Sequence, residues 1–435
     1  MLEILRNTAR LVSARWPELL VFALLGGFLS HIGILGVATL AAIHRSALLG
    51  ALLLPLPILA ELGAYVGMFL VLRRHLPHYG RRAAAGELEI DVTESAGSRR
   101  HRRADSVTTF ASQVIVPFFV LYSAWNYLDD DLERYRFEVE WRIFDVPAER
   151  LAAMQLQFTL PAVALLAAAL VARLVVHRLR HRLPAWISFV DVYLEGLWVF
   201  LATMLVFEPL QELPRWLGGR EFVVWLSNGW QGFLDAVPFL DAAWRTVAVP
   251  VAGFLIETVG VLALPVAWLA ITGIVLARRL GGTTVVDLVT ARSPHLRQVR
   301  ERNRRLPGVV RFFSDELTED YRARADVLVD VGRVVAHAGA VTLAGFVLTY
   351  VALETMTSWA FRGIVALIGP QDLDWWQAVF PMVSIGVHAV SDVVQIALLA
   401  ATFDHCLGRL PPAQAPPGRP ATSAAPARTE ATPSA

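Results

Sequence analysis

Residues 17–43 read PELLVFALLGGFLSHIGILGVATLAAI, and this stretch decides the fold class. It is an almost unbroken apolar run, longer than the roughly 20 residues that a helix needs to cross a bilayer. Because lipid offers the backbone no hydrogen-bond partners, such a run is stable in a membrane only as a helix. The stretch therefore predicts a membrane-spanning helix near the start of the sequence.

The rest of the chain has the same character. Of its 435 residues, 55% are hydrophobic and only 18% are charged, whereas soluble domains carry about 25% charged residues. Strands with the alternating pattern of membrane barrels are not found in the sequence. The predicted fold is an all-α polytopic bundle with about eight spanning helices, at residues 17–43, 48–72, 107–127, 155–176, 186–207, 248–277, 331–352 and 381–405.

The distribution of arginine predicts how this bundle is oriented. All 39 cationic residues are arginine. If the N-terminus is cytoplasmic, 30 of these 39 fall in cytoplasmic segments and nine in outside loops. Cytoplasmic loops of membrane proteins carry such an excess of positive charge. We therefore expect both the N-terminus and the C-terminus in the cytoplasm.

The predicted spans divide the chain into two halves and a tail. Residues 1–182 hold four spans and a cytoplasmic loop, 73–106, and residues 183–410 hold four more and a longer cytoplasmic loop, 278–330. Residues 411–435 are rich in proline and alanine, which predicts disorder. The arginine clusters of the cytoplasmic loops would attract anionic lipid headgroups, and the same loops could dock protein partners. A net charge of +1 gives no indication of nucleic-acid binding.

Ionisable side chains inside the predicted spans are the candidate functional residues. Burying such a group in a membrane costs about 2.5–3.5 kcal/mol on insertion scales, so its presence points to function. The candidates for binding a substrate or ion, or for relaying protons, are Glu61, Asp191, Glu195, Glu257, His388 and Asp392.

Two of the spans carry these residues at helical spacing. His388 and Asp392 share one face of the eighth span, as Asp191 and Glu195 share one face of the fifth. If the two faces meet, the four side chains could relay protons or hold a divalent metal through nitrogen and oxygen ligands. The alternative is a structural core in which the same groups form hydrogen bonds between helices.

Several function classes find no support in the sequence. A single cysteine, Cys406, excludes an intrachain disulfide and any cysteine-cluster metal site. The chain has no P-loop, no Gly-x-Ser-x-Gly and no His-Glu-x-x-His. We therefore predict no enzymatic activity and no cofactor.

The function that these patterns favour is transport. We expect a carrier of a small solute or ion that uses carboxylates near the middle of the membrane, with proton coupling as an option. The alternative is a non-catalytic subunit or scaffold of a larger envelope complex. A lipid-modifying enzyme is the third and least favoured hypothesis. The sequence shows no nucleophile–base pair and no metal site, and such chemistry needs one of them.

The first two spans also support a family resemblance. The segments SARWPELLVFALLGGFLSHIGILG (13–36) and ALLLPLPILAELGAYVGMFLVLRR (51–74) are similar to the start of multi-pass integral membrane proteins from high-GC Gram-positive, actinobacterial-type bacteria. The resemblance implies a bacterial plasma membrane as the location. It implies no activity and assigns no site residue.

Overall fold

The computed structural model describes residues 1–44, 46–84, 127–141, 160–179, 187–276 and 339–409. These residues are helical, and no strand occurs among them. The helices in chain order are α1 (Leu2–His44), α2 (Ala47–Leu53), α3 (Pro55–Arg73), α4 (Pro77–Ala84), α5 (Tyr127–Trp141), α6 (Leu160–Leu179), α7 (Ile187–Gly218), α8 (Glu221–Ala236), α9 (Pro238–Ala243), α10 (Val249–Leu276), α11 (Ala340–Ile368) and α12 (Leu373–Arg409). A π-helical turn, Trp244–Ala248, connects α9 to α10.

Within the described ranges, four segments are long and apolar enough to cross a membrane. They are α1, the α2–α3 pair, α11 and α12. Shorter apolar stretches occupy Pro161–Val176 of α6 and Val261–Leu276 of α10. The predicted helical fold is confirmed for these residues, and the apolar helices suggest a membrane protein. The total of eight spans and the cytoplasmic position of both termini stay predictions.

The helices differ in extent from the predicted spans. Helix α11 continues to Ile368, well beyond the predicted end at residue 352, and α12 begins at Leu373, before the predicted start at residue 381. The predicted span 186–207 forms the first part of the longer helix α7. Except for Tyr127, the predicted span 107–127 lies outside the described residues, as do the loop 278–330 and the tail 411–435.

Helix α1 is the centre of the packing. Its buried residues recur at steps of three and four, which places them on one side of the helix: Ala23, Gly26, Ser30, Ile34, Val37 and Ala41. Helix α1 contacts α3 and α12 more extensively than it contacts any other described element. Helices α3 and α12 are thereby held next to each other against a common partner.

Small residues allow α1 and α3 to approach closely. A Cβ atom placed on Gly26 would lie 2.5 Å from the Cβ of Ala64, and one on Gly33 would lie 2.6 Å from the Cβ of Pro57. Membrane helices commonly use glycine and alanine in this way, because close backbones gain van der Waals contact without a hydrophobic driving force. The contact fixes the position of the α3 face that carries Glu61.

A break in the second spanning segment sets where α3 begins. The Ser46 hydroxyl accepts a hydrogen bond from the backbone of Leu49 at 3.4 Å and so caps α2. Helix α2 ends after Leu53, and α3 starts at Pro55. Proline lacks the N–H that would continue the helical ladder, but it is well suited to a first helical position. Glu61 therefore lies in the second turn of α3.

The two ends of the bundle are distinguishable. At the terminal end, defined by Glu3, Arg73 and His405, the Nδ1 atom of His405 lies 3.7 Å from a Glu3 carboxylate oxygen. At the opposite end, defined by His44, Ser46 and Leu373, α5 packs against α1. Tyr135 of α5 lies directly against Gly50, and burial raises the pKa of its hydroxyl to about 12.

The Asp404 carboxylate attaches α4 to α12 at the terminal end. Asp404 accepts hydrogen bonds from the backbone N–H of Tyr79 at 2.7 Å and of His78 at 3.3 Å. The His78 imidazole also contacts it at 2.9 Å. Since the first N–H groups of a helix have no partner inside the helix, Asp404 serves as a cap supplied by a distant part of the chain.

We expect Asp404→Ala to loosen α4 without unfolding the bundle. Loss of a helix cap costs about 0.5–2 kcal/mol, so hydrogen–deuterium exchange of the α4 amides should become roughly tenfold faster. Asp404→Asn keeps one acceptor oxygen for the Tyr79 amide and should have a smaller effect. Unchanged exchange in α4 for Asp404→Ala would show that this carboxylate does not hold the helix.

Candidate functional site

A large cleft lies between α1, α3, α11 and α12, and α5 lines it at the opposite end of the bundle. Its volume is about 1540 Å³. Most of its wall is apolar, as expected for a ligand cavity, with polar groups at a few positions. These polar groups include the predicted site residues Glu61, His388 and Asp392.

The acidic groups of the cleft lie near the middle of their helices. Glu354 is at the centre of α11, about 21 Å along the axis from either end. Asp392 lies about 26 Å from the terminal end of α12 and slightly farther from its start. Because the apolar core of a bilayer is about 30 Å thick, both groups would lie deep in the membrane.

Tyr65 connects two carboxyl groups across the cleft. Its hydroxyl is 3.1 Å from Oε1 of Glu61, which lies one turn earlier on α3. The same hydroxyl is 3.4 Å from Oδ2 of Asp392 on α12. Two acidic side chains from different helices therefore share one phenol.

This sharing has a consequence for protons. A phenolic hydroxyl has one hydrogen to donate, so it can serve only one carboxylate at a time. The second contact becomes a hydrogen bond when the other carboxyl group carries a proton and donates it to the phenol oxygen. Two acidic groups that face one donor are thus best satisfied by a single added proton. The Glu61–Tyr65–Asp392 group has the composition of a proton-exchange site.

A chain of hydrogen bonds joins α11 to α12 beside this group. The Thr357 hydroxyl donates to the carbonyl of Leu353 at 2.9 Å, so Ser391, 2.7 Å away, is the donor to Thr357. Gln395 donates to Ser391 at 3.3 Å and, with its second N–H, to the Glu354 carboxylate at 3.3 Å. The hydrogen-bond donor to Glu354 is therefore an uncharged amide, that of Gln395.

Aromatic rings and one hydroxyl without a partner complete the wall. Tyr65 and Trp268 meet edge to face with their ring centres 5.9 Å apart, which brings α10 against the cleft. On α1, Ser30 lines the cleft and is only 3% exposed. Its hydroxyl has no hydrogen-bond partner among the described residues. A buried polar atom without a partner is uncommon, because it loses its hydration without compensation.

The predicted residues of the eighth span take different local positions. Asp392 points to Glu61 and Tyr65, as described above. His388, one turn earlier, is exposed and places its Nδ1 atom 2.8 Å from the carbonyl of Ser384. A histidine in this arrangement donates from Nδ1 and leaves Nε2 for the cleft.

The predicted residues of the fifth span have other partners. Helix α7 packs mainly against α6 and also against α3. Glu195 forms a buried ion pair with Arg173 of α6, and the Arg173 guanidinium lies over the Trp198 ring at 5.5 Å. Asp191 lies half-buried one turn before Glu195 on α7. The structure thus brings Asp392 together with Glu61, and Glu195 together with Arg173.

Glu257, the remaining predicted residue, is exposed on α10 and does not line the cleft. No group of three histidine, cysteine, aspartate or glutamate side chains in the described part of the chain is placed to hold a metal ion. Of the six predicted residues, Glu61, His388 and Asp392 share one site, while Asp191, Glu195 and Glu257 lie elsewhere.

Sequence reasoning missed Tyr65, Glu354 and Ser30. A signal existed for Tyr65, since it follows Glu61 by four residues and must share its helix face. Glu354 was missed because the predicted span ended two residues before it. For Ser30 the sequence held no signal, because its missing partner is visible only in the packed structure. No protein-family model, curated protein or solved structure matches this chain.

Proposed function

We propose that this protein is a carrier-type transporter that moves a small solute or ion across the plasma membrane and exchanges protons at the Glu61–Tyr65–Asp392 group. The observation that carries the proposal is the position of Tyr65 between two carboxyl groups inside a large cleft. The described hydrogen-bond donor to both carboxyl groups is the uncharged Tyr65 hydroxyl. A proton or a cationic solute would therefore supply the positive charge that neutralises them.

The energetic argument favours a functional role for this group. Each ionisable side chain in the membrane core costs about 2.5–3.5 kcal/mol on insertion scales. A hydrogen bond between membrane helices returns only about 0.6 kcal/mol on average. Glu61, Glu354 and Asp392 together therefore cost more than their hydrogen bonds to Tyr65 and Gln395 recover. Such residues are retained where they act on protons, ions or solutes.

A carrier cycle follows from the proton count. With one proton shared between Glu61 and Asp392, the Tyr65 bridge is complete and the two helices α3 and α12 are tied together. When that proton leaves, one carboxylate loses its bond to Tyr65 and is available to a solute in the cleft. Proton release and solute binding are then alternatives at the same oxygen atoms, which couples the two.

Helix α12 contains a proline about three turns before Asp392, where the helix can bend. Pro381 lies inside the helix, before His388 and Asp392. Proline removes one hydrogen bond of the helical ladder and commonly produces a kink. Rearrangement at this point would change the exposure of the cleft toward the opposite end of the bundle, as alternating access requires.

The test is solute-coupled proton flux in proteoliposomes. The full chain is reconstituted with a trapped pH indicator, and a panel of small cations, anions and neutral solutes is added from outside. We expect at least one solute to drive proton movement. Asp392→Asn should lower that flux on the order of a hundredfold, the lower range for removing a group that transfers protons.

The matched control is Asp374→Asn, the same substitution at an exposed position in the first turn of α12. It should leave the flux unchanged. Proton movement that persists in Asp392→Asn would contradict the proposed role of the Tyr65 bridge. If no solute moves and the protein isolates with a second protein as a stable complex, the subunit alternative is favoured instead.

A further inference from the structure

We propose that the solute of this cleft is an organic cation, a protonated amine that is bound between Glu354, Asp392 and the hydroxyl of Ser30. The inference rests on the proposed carrier function for its role in transport, and it names the chemical class that the cleft would take. The size of the cleft, its charge and the Ser30 hydroxyl without a partner each support it.

The size of the cleft favours a molecule over a bare ion. Pockets for drug-sized ligands have volumes of about 300–1,000 Å³, and this cleft has about 1540 Å³. A metal ion would need several ligands converging on one point, and no such group of three acidic, histidine or cysteine side chains occurs in the described residues. The volume of the cleft therefore suits a molecule that carries its charge on one group and fills the remaining space with its body.

The charge of the cleft favours a cation. The described wall residues of α1, α3, α10, α11 and α12 include no arginine but include Glu61, Glu354 and Asp392. Only α5, at the opposite end, adds arginines, Arg134 and Arg136. The wall residues of α5 also include four acidic side chains: Asp131, Glu133, Glu138 and Glu140. Both the interior and the opening are therefore net acidic, which raises the local concentration of cations.

Ser30 provides an observation independent of the acidic groups. Ser30 is a wall residue of the cleft, and its hydroxyl is buried and has no hydrogen-bond partner among the described residues. A serine oxygen accepts hydrogen bonds as well as donating them. A primary ammonium group has three N–H donors, so it can bond to a carboxylate and still satisfy the Ser30 oxygen. An anion would satisfy Ser30 but would be repelled by the carboxylates.

Aromatic side chains fit the rest of such a solute. Tyr65, Trp268 and Trp376 line the same cleft. An aromatic face attracts a cation through its negative quadrupole, and it also packs against an apolar or aromatic body. The wall therefore suits a molecule with one ammonium group and one aromatic portion.

The experiment compares three probes that share a phenyl ring and differ in the polar group that the ring carries: a cationic, a neutral and an anionic one. Benzylammonium, benzyl alcohol and benzoate are titrated by calorimetry, at neutral pH, into the full chain in detergent. We expect benzylammonium to bind and the other two to bind about tenfold more weakly or not at all, as for loss of a charged hydrogen bond. Equal binding of the alcohol or of benzoate would overturn the inference, and this comparison needs no variant to fold.

Variants then locate the site. Glu354→Gln should weaken benzylammonium binding about tenfold, and Ser30→Ala several-fold. Asp374→Asn, outside the cleft, should bind as the unmodified protein does. Unchanged binding in both Glu354→Gln and Ser30→Ala would place the amine elsewhere and overturn the inference.

Binding and flux together separate this inference from the carrier proposal. Proton flux driven only by neutral or anionic solutes would retain the carrier and overturn the cation. Benzylammonium binding that requires Glu354, without flux of any solute, would retain the cation site and overturn the carrier. If benzylammonium neither binds nor moves and no solute drives protons, both proposals fail.

Discussion

We expect Arg173→Met to lower the free energy of unfolding by about 3–5 kcal/mol, the cost of removing one charge of a buried ion pair. The side chains of Arg173 and Glu195 are only 8% and 3% exposed, and they bond to each other between α6 and α7. Methionine fills much of the arginine volume but cannot neutralise Glu195. Equilibrium unfolding in mixed micelles, followed by circular dichroism, measures the loss.

Two controls identify the cause of this loss. Arg178→Met changes an exposed arginine of the same helix and should have an effect within about 0.5 kcal/mol. The double variant Arg173→Met with Glu195→Met should recover most of the stability, because an apolar pair can replace a buried ion pair at little cost. If the double variant is as unstable as Arg173→Met alone, the lost packing of arginine and not the unpaired carboxylate is responsible.

Gly26→Ala should destabilise the protein by about 1–3 kcal/mol, although alanine is the better helix former. The added methyl would lie 2.5 Å from the Cβ of Ala64 and 3.6 Å from the Cα of Glu61. Helices α1 and α3 must separate to accept it, which moves Glu61 relative to Asp392. Thermal unfolding in detergent reports the stability, and benzylammonium titration reports the displaced site.

The matched control is Gly36→Ala on the same helix, where an added Cβ meets no atom within 4 Å. It should be neutral or slightly stabilising. Adding Ala64→Gly to Gly26→Ala removes the colliding methyl and should restore the unfolding temperature. A double variant no more stable than Gly26→Ala would show that close approach at this point does not determine the packing of α1 on α3.

The sequence was sufficient to predict the long apolar helices and two acidic residues that line the cleft. Long apolar runs have one stable backbone conformation in lipid, so α1, α3, α11 and α12 follow from composition and length. Glu61 and Asp392 are identifiable because each is an isolated charge in such a run. These predictions depend on local properties of the chain, which a single sequence contains.

The partners of those residues were not predictable in the same way. Apolar helices are similar on all sides, so a sequence pattern does not say which two helices meet. Contacts such as Gly26 with Ala64 make α1 the common neighbour of α3 and α12, and they place Asp392 beside Tyr65. Arg173 illustrates the same difficulty, because the sequence does not indicate that it is buried against Glu195.

Helix α1 has a further consequence that follows from its length alone. Its 43 residues extend about 65 Å, and the apolar part after Glu18 extends about 37 Å. Both exceed the roughly 30 Å hydrocarbon core, so in a membrane the helix would tilt or thicken the surrounding lipid. Because α1 also forms a wall of the cleft, a change in its tilt alters the width of that cleft. The acyl-chain length of the host membrane would thereby set the width of the cleft.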